Sequence, residues 1–321
     1  MSEPRFPRGV FTLSLDFELI WGTHDLFGTD GFAEACARER SVVLDRLLAL
    51  LAEHEISATW LTVGHLMLER CGRAHPEVVR PTHRWKPDDW FSADPGGDEE
   101  TAPLFFARSL IARIRACPVP QEIGGHSFSH VIYGDPGCSR AAAESDLDAL
   151  VAAAESLGLR LESFSFPRNR VGHQDALGPR GFKVFRSPEP AWHLARAPLM
   201  QRLGHLADVL LARCPPVVFP RREADGLVSV PGSMIYFPMH GPRRFLPVSL
   251  RVRRARKGLA EAVRQRGVFH LWTHPTNLAD QTEAMLGGLR TILADVRALR
   301  ARGLLEVRTM GALHPAGEAT A

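Results

Sequence analysis

The chain has 321 residues, with 39 Lys and Arg against 36 Asp and Glu, a formal net charge of +3 and 45% hydrophobic residues. That balance excludes a disordered or fibrous chain, and with no dominant block of one sign no nucleic-acid partner is expected. Five cysteines, odd in number and without a CxxC pair, fit neither a disulfide framework nor a cysteine zinc site and favour a reducing compartment.

The opening MSEPRFPRGVF lacks the apolar run of an export signal. No later run approaches the ~18 apolar residues needed to span a bilayer, so a cytoplasmic location is expected, with at most peripheral contact to a lipid-linked substrate. Residues 10–16 (VFTLSLD) read as a buried strand ending on a carboxylate. Apolar residues at helical spacing over 35–54 and a second buried strand at 56–64 complete a β-α-β unit.

From 70 to 103 the pattern breaks into Pro, Gly, Asp and aromatic residues, which reads as an inserted functional loop. Its aromatics Trp85, Trp90 and Phe91 either stack on sugar faces or pin the loop to the body. A helix at 103–116 precedes QEIGGHSFSH, where Glu122 to Gly125 reads as a strand giving way to a turn. A helix over 139–157 follows, with Ser139 as N-cap, and then LESFSFPRNRVG as strand and loop.

Further strands are predicted at 181–188, 227–233, 268–275 and 304–309, and helices at 194–213, 247–266 and 279–302. The basic window RVRRARK at 251–257 reads as a solvated helix face. Strand–helix alternation predicts an α/β fold with a largely parallel sheet, one catalytic domain over 10–310 after an extension at 1–9, and a disordered tail at 311–321.

Four predicted strands end in reactive groups: Asp16 and Glu18, His126 and His130, Arg168 and Arg170, and His274. Parallel α/β folds build their sites at the C-terminal ends of strands, so these segments are expected to converge. The four-residue spacing of His126 and His130 places two imidazoles on one face of a helical turn, and a carboxylate from another strand end would be a third ligand. Of Asp16 and Glu18, one can bind the metal while the other acts as general base. His274 is a candidate general acid for a departing nitrogen. His24, His65, His173 and His240 read as loop-fixing residues, and the cysteines as small buried hydrophobes.

SLDFE, ATWLTVGH, EIGGHSFSH, SFPRNRVG and LWTHP occur in the order seen in the polysaccharide deacetylase family, the NodB-homology or carbohydrate esterase family 4 group, which the chain resembles across residues 10–310. The resemblance implies a distorted (β/α)7 barrel carrying the inserted aromatic-rich loop. It further implies a divalent metal, zinc foremost with Co2+, Ni2+, Mn2+ or Fe2+ as alternatives, and removal of N-acetyl groups from sugars. By this resemblance Asp16 matches the general base, Glu18, His126 and His130 the metal ligands, and His274 the general acid.

The first motif departs from adjacent aspartates, reading Asp16-Phe-Glu18. The arginine that orients the base is expected from FPRNR, as Arg168 with Arg170 the alternative. Arg186 serves the blurred fourth motif, and Trp192 helps to line the pocket; Trp85, Trp90 and Arg170 join them as substrate-binding candidates. The expected partner is an N-acylated sugar, nucleotide-linked or lipid-linked. Rival readings are a sugar-formamide deformylase, an imide or ureide hydrolase on the same barrel, and a glycan-binding protein whose site has decayed.

Overall fold

The computed structural model describes residues 6–190, 204, 208 and 210–314. Trp192 and most of the helix expected over 194–213 lie outside the described residues. Twelve strands are described: β1 Gly9–Phe17, β2 Thr59–Thr62, β3 Arg70–Cys71, β4 Gly97–Asp98, β5 Glu122–Gly125, β6 Ser163–Ser165, β7 Val184–Ser187, β8 Arg221–Arg222, β9 Val228–Pro231, β10 Met234–Ile235, β11 Val268–Thr273 and β12 Leu305–Val307. The α-helices are α1 His24–Phe27, α2 Ala33–Arg38, α3 Leu44–Glu53, α4 Arg108–Arg115, α5 Arg140–Glu155, α6 Val248–Gln265 and α7 Thr282–Ala301.

The main sheet runs β10-β11-β1-β2-β5-β6-β7-β9-β8, and every pair from β10 to β9 is parallel. Its two ends are joined by the chain itself. β9 pairs with β7, the chain passes through Gly232 and Ser233, and β10 then pairs with β11. Gly232 N–H donates to Ser187 O at 3.1 Å and Ser233 N–H to His270 O at 2.9 Å, so one kinked segment bridges both edges. The sheet therefore curls into a distorted barrel of the (β/α)7 kind. β1 is an interior strand, paired in parallel with β11 on one side and with β12 and β2 on the other, and it is buried along its whole length.

Ser139 caps α5 through its hydroxyl, which accepts from Ala142 N–H at 3.1 Å. The helix expected over 35–54 is interrupted: Glu39–Val43 between α2 and α3 form a π turn, and this widened turn carries the buried Glu39 against Thr276. Of the tail expected over 311–321, residues 315–321 lie outside the described residues. Gly311–Leu313 form a 3-10 turn, and Leu313 packs with Val10 and Met310 in a second apolar cluster. No helix among the described residues is long and apolar enough to cross a membrane.

The insertion between Met67 and Arg108 is held by the antiparallel pair β3–β4 and by buried aromatics. Trp90 and Phe91 are 2% and 3% exposed, whereas Trp85 is 38% exposed. Of the two readings of this loop, Trp90 and Phe91 follow the pinning one.

Candidate active site

Asp16 is the penultimate residue of β1, and Glu18 lies one residue beyond the strand, where the chain turns into the 3-10 helix Leu19–Gly22. Both carboxylates are buried. Glu18 fits only because residue 22 is glycine: a Cβ there would fall on Glu18 Oε2.

His126 follows β5, with its Nδ1 against Ser165 O at 2.8 Å and Ser165 Oγ at 2.7 Å. The carbonyl can only accept, so it fixes Nδ1 as the protonated nitrogen and leaves Nε2 free to bind a ligand. His126 and His130 are not on a helical turn. Ser127 and His130 adopt left-handed backbone, with φ of 65° and 62°, and the segment between them is an irregular loop.

What holds that loop is Asp146, buried in the middle of α5. Its Oδ1 accepts from Ser127 Oγ at 2.7 Å, Phe128 N at 2.8 Å and Tyr133 Oη at 2.6 Å, and its Oδ2 from Ser129 N at 3.2 Å and Ser129 Oγ at 3.1 Å. Five donors on one carboxylate repay the cost of left-handed backbone at two non-glycine residues. Trp90 of the insertion adds a brace, its Nε1–H donating to Ser129 O at 3.0 Å.

The result is a three-donor cluster. His126 Nε2 lies 3.6 Å from Glu18 Oε1, and His130 Nε2 lies 3.4 Å from Glu18 Oε2. These separations exceed ordinary hydrogen bonds and resemble the ~3.3 Å between neighbouring ligand atoms on a tetrahedral ion. One carboxylate and two imidazoles with room for further ligands suit a divalent transition metal, so the donor set fits the group that the resemblance implies. His130 departs in one respect, since its buried Nδ1 has no hydrogen-bond partner.

Arg186, rather than Arg168, grips Asp16. Its guanidinium is 1% exposed and donates to Asp16 Oδ1 at 2.7 Å and Oδ2 at 2.6 Å. A further N–H reaches Ser14 Oγ at 3.1 Å, the group packs 4.3 Å over Trp272, and Asn169 Oδ1 accepts at 3.3 and 3.4 Å. Ser14 Oγ in turn meets His270 Nε2 at 2.8 Å. Burial pushes the Asp16 carboxyl up, but Arg186, with His126 and His274, outweighs it and holds the group below the usual carboxylate range.

Arg168 instead pairs with Asp25 and stacks 5.1 Å over Trp85. Its left-handed backbone, shared with Asn169, turns its side chain to the rim while Asn169 faces Arg186. Arg170 pairs with Asp135 at 3.2 Å and stands at the surface, where Trp85 Nε1–H also donates to Asp135. Trp85 is thus a rim residue, and the buried Trp90 packs against His24 and His83 and bonds Ser129.

His274, at the end of β11, completes the site. Its Nε2 is 2.8 Å from Glu18 Oε1 and 3.6 Å from Asp16 Oδ2, with Asn277 Nδ2 3.3 Å from its Nδ1. Burial lowers its pKa, and the neighbouring Glu18 and Asp16 charges more than reverse that, leaving it pushed up to about 9. A cleft of about 460 Å³ opens from Glu18 and His274 past Phe32, His240, Arg243 and Asn277.

Of the residues picked from sequence, Asp16, Glu18, His126, His130, His274 and Arg186 meet at one mouth of the barrel, while Arg168, Arg170 and Trp85 stand on its rim. Asp146, Gly22, Asn169 and Ser165 were missed. Asp146 carried a signal, because it lies on the stripe of Ala142, Ala143, Leu147 and Leu150 that α5 buries, where a lone carboxylate calls for partners.

No family model matches the sequence, and no curated protein matches it. Solved structures do match in fold. A protein from Mycobacterium smegmatis described as a polysaccharide deacetylase is 17% identical with a TM-score of 0.61, the match covering 97% of this chain and 91% of that one. Another so described, from Pseudomonas aeruginosa PAO1, is 11% identical with a TM-score of 0.58, covering 95% and 89%. PuuE allantoinase is 10% identical with a TM-score of 0.61, covering 98% and 92%. The chain therefore has the polysaccharide-deacetylase fold of the NodB type.

Proposed function

We propose that the chain is a divalent-metal hydrolase that removes an acyl group, acetyl foremost, from the nitrogen of a sugar. The observation that carries this reading is the meeting of Asp16, gripped by Arg186, with the Glu18–His126–His130 donor set and His274 at one mouth of the barrel. A divalent ion held by Glu18, His126 and His130, zinc foremost, supplies Lewis acidity toward the acyl carbonyl and lowers the pKa of water.

The chain's own residues supply the proton traffic. Asp16, kept ionised by Arg186, accepts a proton from the attacking water as the new C–O bond forms. His274, at the end of β11 beside Asp16 and Glu18, hands a proton to the sugar nitrogen as the C–N bond breaks. Atoms balance as one water consumed, one free amine and one carboxylic acid released.

The likeness in fold to polysaccharide deacetylases supports the acyl-sugar reading, and the cleft past His240 and Arg243 has room for a sugar carrying a phosphate. A cytoplasmic nucleotide-linked or lipid-linked intermediate of glycan or glycosylated natural-product synthesis is the substrate we assign. The equal TM-score of PuuE allantoinase favours a second reading, hydrolysis of another C–N bond such as a ureide.

The test is acetate and formate release from N-acylated nucleotide sugars, lipid-linked sugars, chito-oligosaccharides and allantoin, with Asp16→Asn as control. Acetate from wild type alone supports the proposal, and formate would make the enzyme a deformylase. Turnover of allantoin without either acid would move it to ureides. Silence across the panel from metal-loaded protein would sink the acyl-sugar reading.

A further inference from the structure

A second donor cluster joins the insertion to the turn that follows β2, separate from the site above. His65 sits on the 3-10 turn Gly64–Met67 after β2, Cys71 on β3, and His75 and Asp94 in the loop beyond. One donor atom from each lies within 4.8 Å of all the others. The side chains of His65, His75 and Asp94 are 0–3% exposed, and Cys71 is half-buried.

We propose that His65, Cys71, His75 and Asp94 bind a structural zinc-class ion that fastens the insertion to the barrel.

The hydrogen bonds sort each side chain into one atom tied outward and one turned inward. His65 Nδ1 is 3.0 Å from Phe105 O, which can only accept, so Nδ1 carries the proton and Nε2 faces the cluster. His75 Nδ1 is 3.2 Å from the Glu77 carboxylate, and its Nε2 also points inward. Asp94 Oδ1 accepts from Gly96 N–H at 2.9 Å and leaves Oδ2 to the centre. Outer partners of this kind fix the tautomers of metal-binding histidines.

The inward atoms crowd together. Asp94 Oδ2 lies 2.8 Å from His75 Nε2, 3.2 Å from His65 Nε2 and 3.3 Å from Cys71 Sγ. Without an ion, both imidazoles would need protons on both nitrogens, placing two cations side by side on the single oxygen Asp94 Oδ2, with the Glu77 carboxylate reaching only His75. With an ion, both are neutral, each N–H goes outward and each lone pair inward. Two nitrogens, a sulfur and an oxygen make a closed four-ligand set of the sort that structural zinc takes, with no position left for substrate. The ligands span residues 65 to 94, so the ion would clamp the loop that carries Trp90 against Ser129, the neighbour of His130 in the chain.

The experiment is metal counting and cobalt spectroscopy on the full chain. Wild-type protein substituted with cobalt is expected to show a thiolate-to-cobalt charge-transfer band in the near ultraviolet. The band should survive in the His126→Ala/His130→Ala protein and vanish in Cys71→Ala, with one equivalent of metal lost per chain. Metal content that is the same in wild type and Cys71→Ala, with no Cys71-dependent band, would overturn the proposal. Neither readout depends on turnover, so failure of the deacetylase reading would leave this result standing, and the reverse holds.

Discussion

The guanidinium of Arg186 meets both oxygens of Asp16, at 2.7 and 2.6 Å, inside the barrel and away from water. A bidentate pair in that setting fixes the carboxylate's orientation and keeps it ionised. Arg186→Ala should lower kcat/KM by about 100-fold or more, the scale of losing a positioned general base. The pH profile gives a second readout. A base must be ionised to work, so activity falls as pH drops through its pKa; without Arg186, burial is opposed only by His126 and His274, and that pKa rises. The acid limb should therefore move to higher pH. Arg168→Ala, which breaks the pair with Asp25 and the stack over Trp85 but no contact with Asp16, should cost less than about tenfold and leave the limb in place. The opposite ranking would return the orienting role to Arg168.

Arginine assignment is also where reading the sequence reached its limit. Strand ends and their acids and histidines were legible because buried parallel strands announce themselves as apolar runs, and β1, β5 and β11 end within a residue of Glu18, His126 and His274. Which of three arginines reaches Asp16 depends on left-handed φ at Arg168 and Asn169, which turns the nearer candidate outward. Nothing in PRNR announces that turn. The HSFSH segment was misread for a related reason: four-residue spacing suits a helix, but Asp146, a residue on a different element, imposes a loop. The second donor cluster escaped because its cysteine has no CxxC neighbour and its ligands are spread over 30 positions from 65 to 94.

Gly22 is required by Glu18. A methyl group at 22 would occupy the space of Glu18 Oε2, and moving the carboxylate is the easier relief because it is a side-chain end. Gly22→Ala should weaken metal retention by about 10-fold or more, as displaced supports of ligands do, while the thermal midpoint of the metal-free protein changes little. Metal affinity measured by chelator competition decides it. Unchanged affinity would mean that the backbone, and not Glu18, gives way.

Asp146 should matter for both folding and the site. Asp146→Ala strips five donors of their acceptor in a buried loop, and a loss on the order of 3 kcal/mol is expected in a urea titration. The same variant should bind metal less tightly, because His126 and His130 flank the released segment. A variant as stable as wild type with unchanged metal affinity would show that the donors find other partners.

Glu39 gives a prediction about pH. Burial in the π turn pushes its carboxyl up to about 8, with the Thr276 hydroxyl acting against that rise and Glu18 adding to it. An acid whose folded pKa lies above its unfolded value keeps a proton that the unfolded chain has released. Between about pH 4.5 and 8 unfolding therefore frees a proton, and stability falls as pH rises. Glu39→Gln removes the ionisation while keeping an acceptor for Thr276. It should match wild type near pH 4 and exceed it by on the order of 3 kcal/mol at pH 8, since each pH unit across that window contributes roughly 1.4 kcal/mol before solvent relaxation reduces the sum. Denaturant titrations of both proteins from pH 4 to 8 measure the difference directly. Stability curves that stay parallel across that range would mean Glu39 titrates normally, with its charge met by a partner such as an ion or water.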